Sequence, residues 1–257
     1  MRQSEISPTT ETRPPARLDL DQHALFLDFD GTLAPLVDHP DDAAMPERTR
    51  QTLIHLRERT NGALAIVSGR ALADLAPRLP DSDFALAGSH GHEIRHPGDP
   101  DAAAPTLAAP LEAAEARLHS FAQRHNLRME RKPGALTLHY RGMPHLEEAV
   151  RDTVRTEAAA HDGVTDLHGN MVSELVIAGG GKGSAIRTFL DRAPFRGRSP
   201  VMIGDDVTDE HGFDAAQALG GFGLKIGAGP TCARHRLDSV PSLADWLHAI
   251  ADPGSTD

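Results

Sequence analysis

The segment Leu27-Asp28-Phe29-Asp30-Gly31-Thr32 sets two carboxylates two residues apart at the end of an apolar run. Alternate side chains of an extended chain point the same way, and Gly31 lets the backbone turn sharply there. A strand closing in an Asp-Gly turn would read the same. Two carboxylates at a buried strand mouth repel unless a cation lies between them, however, and that raises the case for metal or catalytic chemistry. In Ile66-Val67-Ser68-Gly69-Arg70 the hydroxyl of Ser68 can donate to a phosphate oxygen. Ser-Gly is also a common turn, and Arg70 suits a solvated helix.

Gly179-Gly180-Gly181-Lys182-Gly183-Ser184 is not a P-loop, because Gly183 stands where Ser or Thr must follow the lysine. It reads as a flexible return with Lys182 opening a helix, where a cation opposes the dipole and calls for an anionic partner. The segment Ile203-Gly204-Asp205-Asp206-Val207-Thr208-Asp209-Glu210 carries four acids in six positions. An EF-hand loop is excluded, since no glycine stands sixth from Asp205. Oxygen-only ligands suit Mg2+, while an acid-decorated helix N-terminus is the plainer alternative.

These segments need a scaffold that brings strand ends together. Five compact apolar runs, at 24–28, 63–67, 84–87, 200–204 and 222–226, read as buried parallel strands. Helical patterns start at Pro46, Gly183 and Glu210. Strands alternating with helices predict an α/β domain with a Rossmann-like parallel sheet, which binds ligands beyond the carboxyl ends of its strands.

The middle of the chain has another rhythm. Leu107, Leu111, Ala114, Leu118, Phe121 and Ala122 follow helical spacing. Strand-like runs follow at 127–132 and 135–141 around Pro133-Gly134. A helix then starts near Pro144, and runs at 164–168 and 172–178 flank Gly169-Asn170. Residues 106–179 are therefore expected to form an α+β cap inserted into a core of residues 18–105 and 180–257, with 1–17 a flexible tail. Two linkers, one glycine-rich and one near Pro105, suggest cap closure over substrate.

Twenty-six basic residues against 37 acidic ones give a net charge of −11 over 257 residues. Nucleic-acid and anionic-membrane binding leave a basic footprint, and no Lys/Arg run is visible, so a small-molecule substrate is expected. The N-terminus lacks the apolar stretch of a signal peptide, and no run approaches a membrane span. With one cysteine, Cys232, the chain cannot close an internal disulfide. A cytoplasmic monomer is the expectation.

In their order, the Asp-x-Asp-Gly-Thr, Ser, Lys and acidic segments resemble the haloacid dehalogenase-like superfamily. That resemblance implies a Mg2+-dependent phosphatase. Asp28 would be the nucleophile and Asp30 the general acid and base, while Ser68 and Lys182 bind the transferring phosphoryl group. Mg2+ would be held by Asp28, the Asp30 backbone carbonyl and Asp205, with Asp206 and Asp209 binding metal waters or orienting Lys182. Gly69 and Arg70 join the substrate-binding set.

Several segments are more specifically similar to trehalose-6-phosphate phosphatases: Ala87-Gly88-Ser89-His90-Gly91, Glu130-x-Lys132 running into Leu138-His139-Tyr140-Arg141, and Ser173-Glu174-Leu175 leading to Lys182. This likeness spans about residues 24–247. It implies trehalose 6-phosphate as substrate, with Glu130, Lys132 and Glu174 on the distal glucose and His90 at the domain entrance. Without it, Glu130 and Lys132 read as exposed charges on an edge strand. His139 and Tyr140 stay outside the expected site, and Arg141 is assigned at most to holding the cap. Asn170 stands where the family often has Lys, and the Gly179–Gly181 triplet is looser than the family's connection. A related sugar-phosphate phosphatase, a phosphomutase and a catalytically silent binding module remain as alternatives.

Overall fold

The computed structural model describes residues 13–252 apart from 38, 40–41, 81–82, 100–108, 133 and 170. The expectations for Pro105, Leu107, Pro133, Asn170 and tail residues 1–12 therefore lie outside the described residues. Within 13–17, the carbonyl of Pro15 accepts a 2.8 Å hydrogen bond from the Trp246 indole.

The chain opens with β1 (His23–Leu27), α1 (Glu47–Arg59), β2 (Leu64–Val67), a single turn α2 (Leu72–Leu75), β3 (Ala85–Gly88) and β4 (Glu93–Arg95). A second block follows: α3 (Ala109–His125), β5 (Arg128–Lys132), β6 (Ala135–His139), α4 (Glu147–Ala160), β7 (Val164–Gly169) and β8 (Val172–Ile177). The chain then returns through α5 (Lys182–Leu190), β9 (Ser199–Gly204), α6 (Glu210–Ala218), β10 (Phe222–Ile226), β11 (His235–Leu237) and α7 (Val240–Ala251).

Seven strands form one sheet in the order β11-β10-β9-β1-β2-β3-β4. Neighbours pair in parallel except β3 with β4. The strands are continuous apolar runs because both faces are covered. Leu25 and Leu27 enter one core with Leu53 and Leu56 of α1 and Leu243 and Leu247 of α7. Ala24 and Phe26 enter the other with Ile186 and Phe189 of α5 and Phe213 of α6. The central order β9-β1-β2 brings three strand C-termini side by side, and these are followed at once by Asp205, Asp28 and Ser68.

The second block is an antiparallel sheet in the order β5-β6-β8-β7. Leu136, Leu138 and Leu175 pack with Leu111, Leu118, Val150 and Val154 of α3 and α4 in a separate core. In register, Glu130 lies opposite Thr137, and Thr137 opposite Glu174. Because alternate side chains leave opposite faces, this row lies on the face away from the helices.

All five expected parallel strands are present within a residue or two of their expected bounds. The cap run expected to reach Arg141 ends at His139. The structure adds β4, β11, α2 and α7 to the expected elements.

Candidate active site

β1 ends at Leu27, and the Asp28 amide then donates to the carbonyl of Ile203 on β9 at 2.9 Å. This bond carries Asp28 to the mouth of the sheet while leaving it only 5% exposed. Lys182 is the first residue of α5 and is buried. Its ammonium donates to Asp28 Oδ1 and to Asp209 Oδ1, both at 2.5 Å. The anionic partner demanded by a lysine at a helix start is thus supplied twice. Burial lowers the Lys182 pKa, but the two carboxylates outweigh it and the group sits above its ordinary value.

The other oxygen of Asp209 accepts the backbone amides of Asp205 at 2.9 Å and Asp206 at 3.0 Å. Both Asp209 oxygens are therefore engaged, and its role is to orient Lys182 and the acidic turn. A Cβ at Gly204 would come within 2.1 Å of the Asp209 carboxyl, so this close packing requires glycine there. Asp206 caps the short turn Val207–Asp209 by accepting from the Thr208 amide and hydroxyl, each at 2.7 Å. Burial pushes Asp206 up, but Thr208 and the nearby Lys182 outweigh it and its pKa lies below the ordinary value.

Asp28, Asp205 and Asp209 offer oxygens within 4.8 Å of one another. Burial, together with the charges of Asp209 and Asp205, pushes the Asp28 carboxyl well up despite Lys182. Burial, Asp209 and Asp206 push Asp205 up to about 6. The cluster is under-neutralised by the protein's own cations, and its donors are all oxygens. That combination fits a hard divalent cation. Gly31 adopts φ +77°, and a Cβ there would lie 2.1 Å from Asp205 Oδ2, so the Asp-Gly turn packs directly on the acidic loop.

Asp30 takes a different partner. Both its oxygens accept from the Arg70 fork at 2.7 Å, and Arg70 also donates to Asp74 at 2.7 Å. Asp28 and Asp30 line the same cleft, one bound to lysine and the other to arginine. Ser68 is buried at the end of β2, and its oxygen accepts the Arg70 amide at 3.1 Å. His90 lies against Gly69, where a Cβ would approach its ring to 2.7 Å. It adopts φ 56° next to Ser89 at φ 48°, a pair of left-handed non-glycine residues that only strong local bonding sustains. The buried Glu93 supplies part of that bonding by accepting from the Ser89 hydroxyl at 2.6 Å and the Leu72 amide at 3.1 Å. Burial lowers the His90 pKa to about 4, leaving a neutral imidazole at the junction of the two sheets.

Across a cleft of about 740 Å³ the antiparallel sheet presents Arg128, Glu130, Lys132 and His139 to Asp28, Asp30, Ser68 and Lys182. Lys132 donates to Glu174 at 3.0 Å, and the Thr137 hydroxyl donates to the same Glu174 oxygen at 2.6 Å. Burial raises the Glu174 pKa, but Lys132 and Thr137 outweigh it, so the carboxylate lies below its usual value. Glu130 is held low chiefly by a 2.8 Å contact with His139.

All the expected site residues gather around this cleft, with Asp205, Asp209 and Glu174 just behind its wall. His139, Thr137 and Asp74 are absent from the expected set. The first two share a β6 face and lie opposite Arg128 and Glu130 in register. Alternation carried across the β5–β6 turn would have found them. Asp74 lies four residues past Arg70 in α2, a turn too short to leave a periodic signal.

Residues 26–241 match the family model described as trehalose-phosphatase. The chain is 37% identical to the trehalose-6-phosphate phosphatase of Escherichia coli K12 over 236 residues, covering 89% of this chain and 86% of that protein. It is 41% identical to a probable trehalose-phosphate phosphatase of Sinorhizobium fredii over 242 residues, covering 90% and 87%. A solved phosphatase of the haloalkanoate (HAD) enzyme superfamily from Bacteroides thetaiotaomicron superposes with TM-score 0.63 at 14% identity, over 95% of this chain and 98% of that one.

Proposed function

The chain belongs to the trehalose-phosphatase family, and from that premise we propose that it hydrolyses trehalose 6-phosphate through an aspartyl phosphate on Asp28. The observation that carries the reading is the buried Asp28–Lys182–Asp209 network at the strand ends, facing a cleft whose far wall holds Glu130 and Lys132. Asp28 attacks phosphorus and the sugar alcohol leaves. Asp30 gives that alcohol a proton and then takes one from the water that attacks the acyl phosphate. Both Asp30 oxygens face Arg70, so proton delivery requires that pair to open. Lys182 and Ser68 hold phosphoryl oxygens as charge shifts among them. Bound Mg2+, held by Asp28, Asp205 and the Asp30 carbonyl, would offset the repulsion between carboxylate and phosphate.

Glu130, Lys132 and Glu174 supply charged acceptors and a donor for sugar hydroxyls. Glu130→Ala should raise KM for trehalose 6-phosphate by roughly 10- to 100-fold, the size of one charged hydrogen bond. Hydrolysis of para-nitrophenyl phosphate should stay unchanged, because that ester has no sugar. Equal losses on both substrates would move Glu130 from specificity to folding.

The raised Asp205 sets a pH dependence for the metal. A carboxyl whose folded value lies near 6 stabilises the metal-free fold below its unfolded value of about 4. That stability is lost as pH rises through about 6. A divalent cation replaces the lost proton. The rise in melting temperature given by Mg2+ should therefore be small at pH 5 and grow through pH 7.5. A rise independent of pH would contradict the assignment of Asp205.

Phosphate release from a panel of sugar phosphates, with Mg2+ or with EDTA, tests the whole reading. Release from trehalose 6-phosphate that EDTA abolishes is expected. Release from none, or preferentially from a different ester, would remove it.

A further inference from the structure

β10 turns Phe222, Leu224 and Ile226 into one apolar core. Its opposite face carries only Gly223, packed under Phe213 of α6, and Lys225. Lys225 is 4% exposed, and among the described residues no carboxylate touches its ammonium. A buried ammonium without a counter-charge in contact is costly. It pairs in register with Gly204, the residue that opens space for Asp209, and its ammonium donates to the backbone carbonyl of Asp205.

The peptide unit joining Asp205 to Asp206 is thus held at both ends. Its carbonyl accepts from Lys225, and its amide, that of Asp206, donates to Asp209 Oδ2 at 3.0 Å. Asp209 Oδ1 accepts from Lys182, which donates in turn to Asp28. An unbroken hydrogen-bonded chain therefore runs from Lys225 through the 205–206 peptide, Asp209 and Lys182 to Asp28. Lys225, Asp209, Lys182 and Asp28 are buried and Asp205 is part-buried, while Asp206 lies at the surface. Polarised peptides and buried charges strengthen one another in such chains. The cationic charge of Lys225 also lies beside the acidic turn Asp205–Glu210 and favours the ionised Asp205, which explains why β10 tolerates it there.

We propose that Lys225 is a positioning residue for phosphoryl transfer. It fixes the Asp205–Asp206 peptide, and through Asp209 it fixes Lys182 and Asp28 in their reactive arrangement. The inference rests on the reading of Asp28 as nucleophile. Among the described residues Lys225 is not part of the cleft lining and its ammonium bonds the Asp205 carbonyl, so its removal acts on the chemical step and not on sugar recognition. Removing such an outer partner typically costs 10- to 100-fold.

Lys225→Met keeps an unbranched side chain of similar length and removes the donor and charge. The expected result is a kcat lower by roughly 10- to 100-fold with KM for trehalose 6-phosphate within about threefold of the parent. Inhibition by orthovanadate, which mimics the five-coordinate phosphoryl group, should weaken by the same factor as kcat/KM. Product inhibition by trehalose should stay unchanged. A folded variant with kcat within twofold of the parent overturns the proposal, as does a rise in KM with unchanged kcat. If circular dichroism shows that Lys225→Met does not fold, Lys225→Gln carries the same test. Asp28→Asn is assayed alongside. Activity in that variant would remove the nucleophile reading, whereas an inactive Asp28→Asn beside a fully active Lys225→Met would remove only the role of Lys225.

Discussion

Asp28→Asn is expected to lower kcat for trehalose 6-phosphate by roughly 10⁴-fold or more while leaving the fold intact, because the variant has no carboxylate to form the acyl phosphate. The stability side of this prediction distinguishes it from ordinary damage. In the metal-free chain, burial and the neighbouring acids already push the Asp28 carboxyl well above its usual range. A folded value raised in this way means that ionised Asp28 opposes folding as pH rises. The neutral amide removes that opposition, while Lys182 keeps Asp209 as partner. The melting temperature of metal-free Asp28→Asn at pH 8 should therefore equal or exceed that of the parent. The gain in melting temperature on adding Mg2+ should shrink. A variant that is both inactive and unfolded would mean that Asp28 serves the fold, and a folded active one would exclude the nucleophile.

Lys182→Met is the second large effect, and its stability sign is the opposite. Lys182 is in hydrogen-bond contact with two buried carboxylates, Asp28 and Asp209. Removing one partner of a buried ion pair costs about 3–5 kcal/mol because the remaining charge is stranded. Here two charges are stranded, and protonation is their way out. Both carboxyls are already raised in the parent, and without the ammonium they rise further. The variant should thus lose most stability at pH 7.5 and recover it as pH falls toward 5. Denaturant titrations at the two pH values measure this directly. The same variant should lose kcat by roughly 10²- to 10³-fold, since a preorganised donor to the transferring group is gone. A pH-independent loss of stability would show that packing, and not charge, is what Lys182 supplies.

The parallel sheet was legible because each of its five main strands is a run of apolar residues closed by a polar one, as in Ala24-Leu25-Phe26-Leu27-Asp28. Burial on both faces leaves no other pattern available. The edge strands left no such trace. Glu93-Ile94-Arg95 and His235-Arg236-Leu237 are three residues each, carry charge and pair with a neighbouring strand on one side only. The helix at 240–251 does carry a signal, with Leu243, Trp246, Leu247 and Ile250 at helical spacing after Ser239, whose hydroxyl accepts the Ser242 amide. It lies beyond the alternation from which the fold is read.

Within the site, the acidic run Asp205–Glu210 was legible as a concentration of oxygen ligands at a strand end, but the division of labour inside it was not. Asp206 caps a turn, Asp209 binds Lys182, and Glu210 turns away to accept the Cys232 amide at 2.7 Å. These roles depend on the path of a short turn, which residue types alone do not set. Lys225 was hidden for another reason. In sequence it is one charge in an otherwise apolar strand, and only the register with Gly204 shows what it reaches.

The central claim is that the phosphoryl group passes through Asp28, and its most direct measurement is chemical trapping of that intermediate. The enzyme is mixed with trehalose 6-phosphate and Mg2+, quenched within one turnover and reduced with borohydride, which converts an aspartyl phosphate to homoserine. Peptide mass spectrometry then locates the product. Homoserine at position 28, absent without substrate and absent in Asp28→Asn, is the predicted result. Full turnover with no homoserine at position 28, or with it at Asp30 or Asp205 instead, would contradict the account.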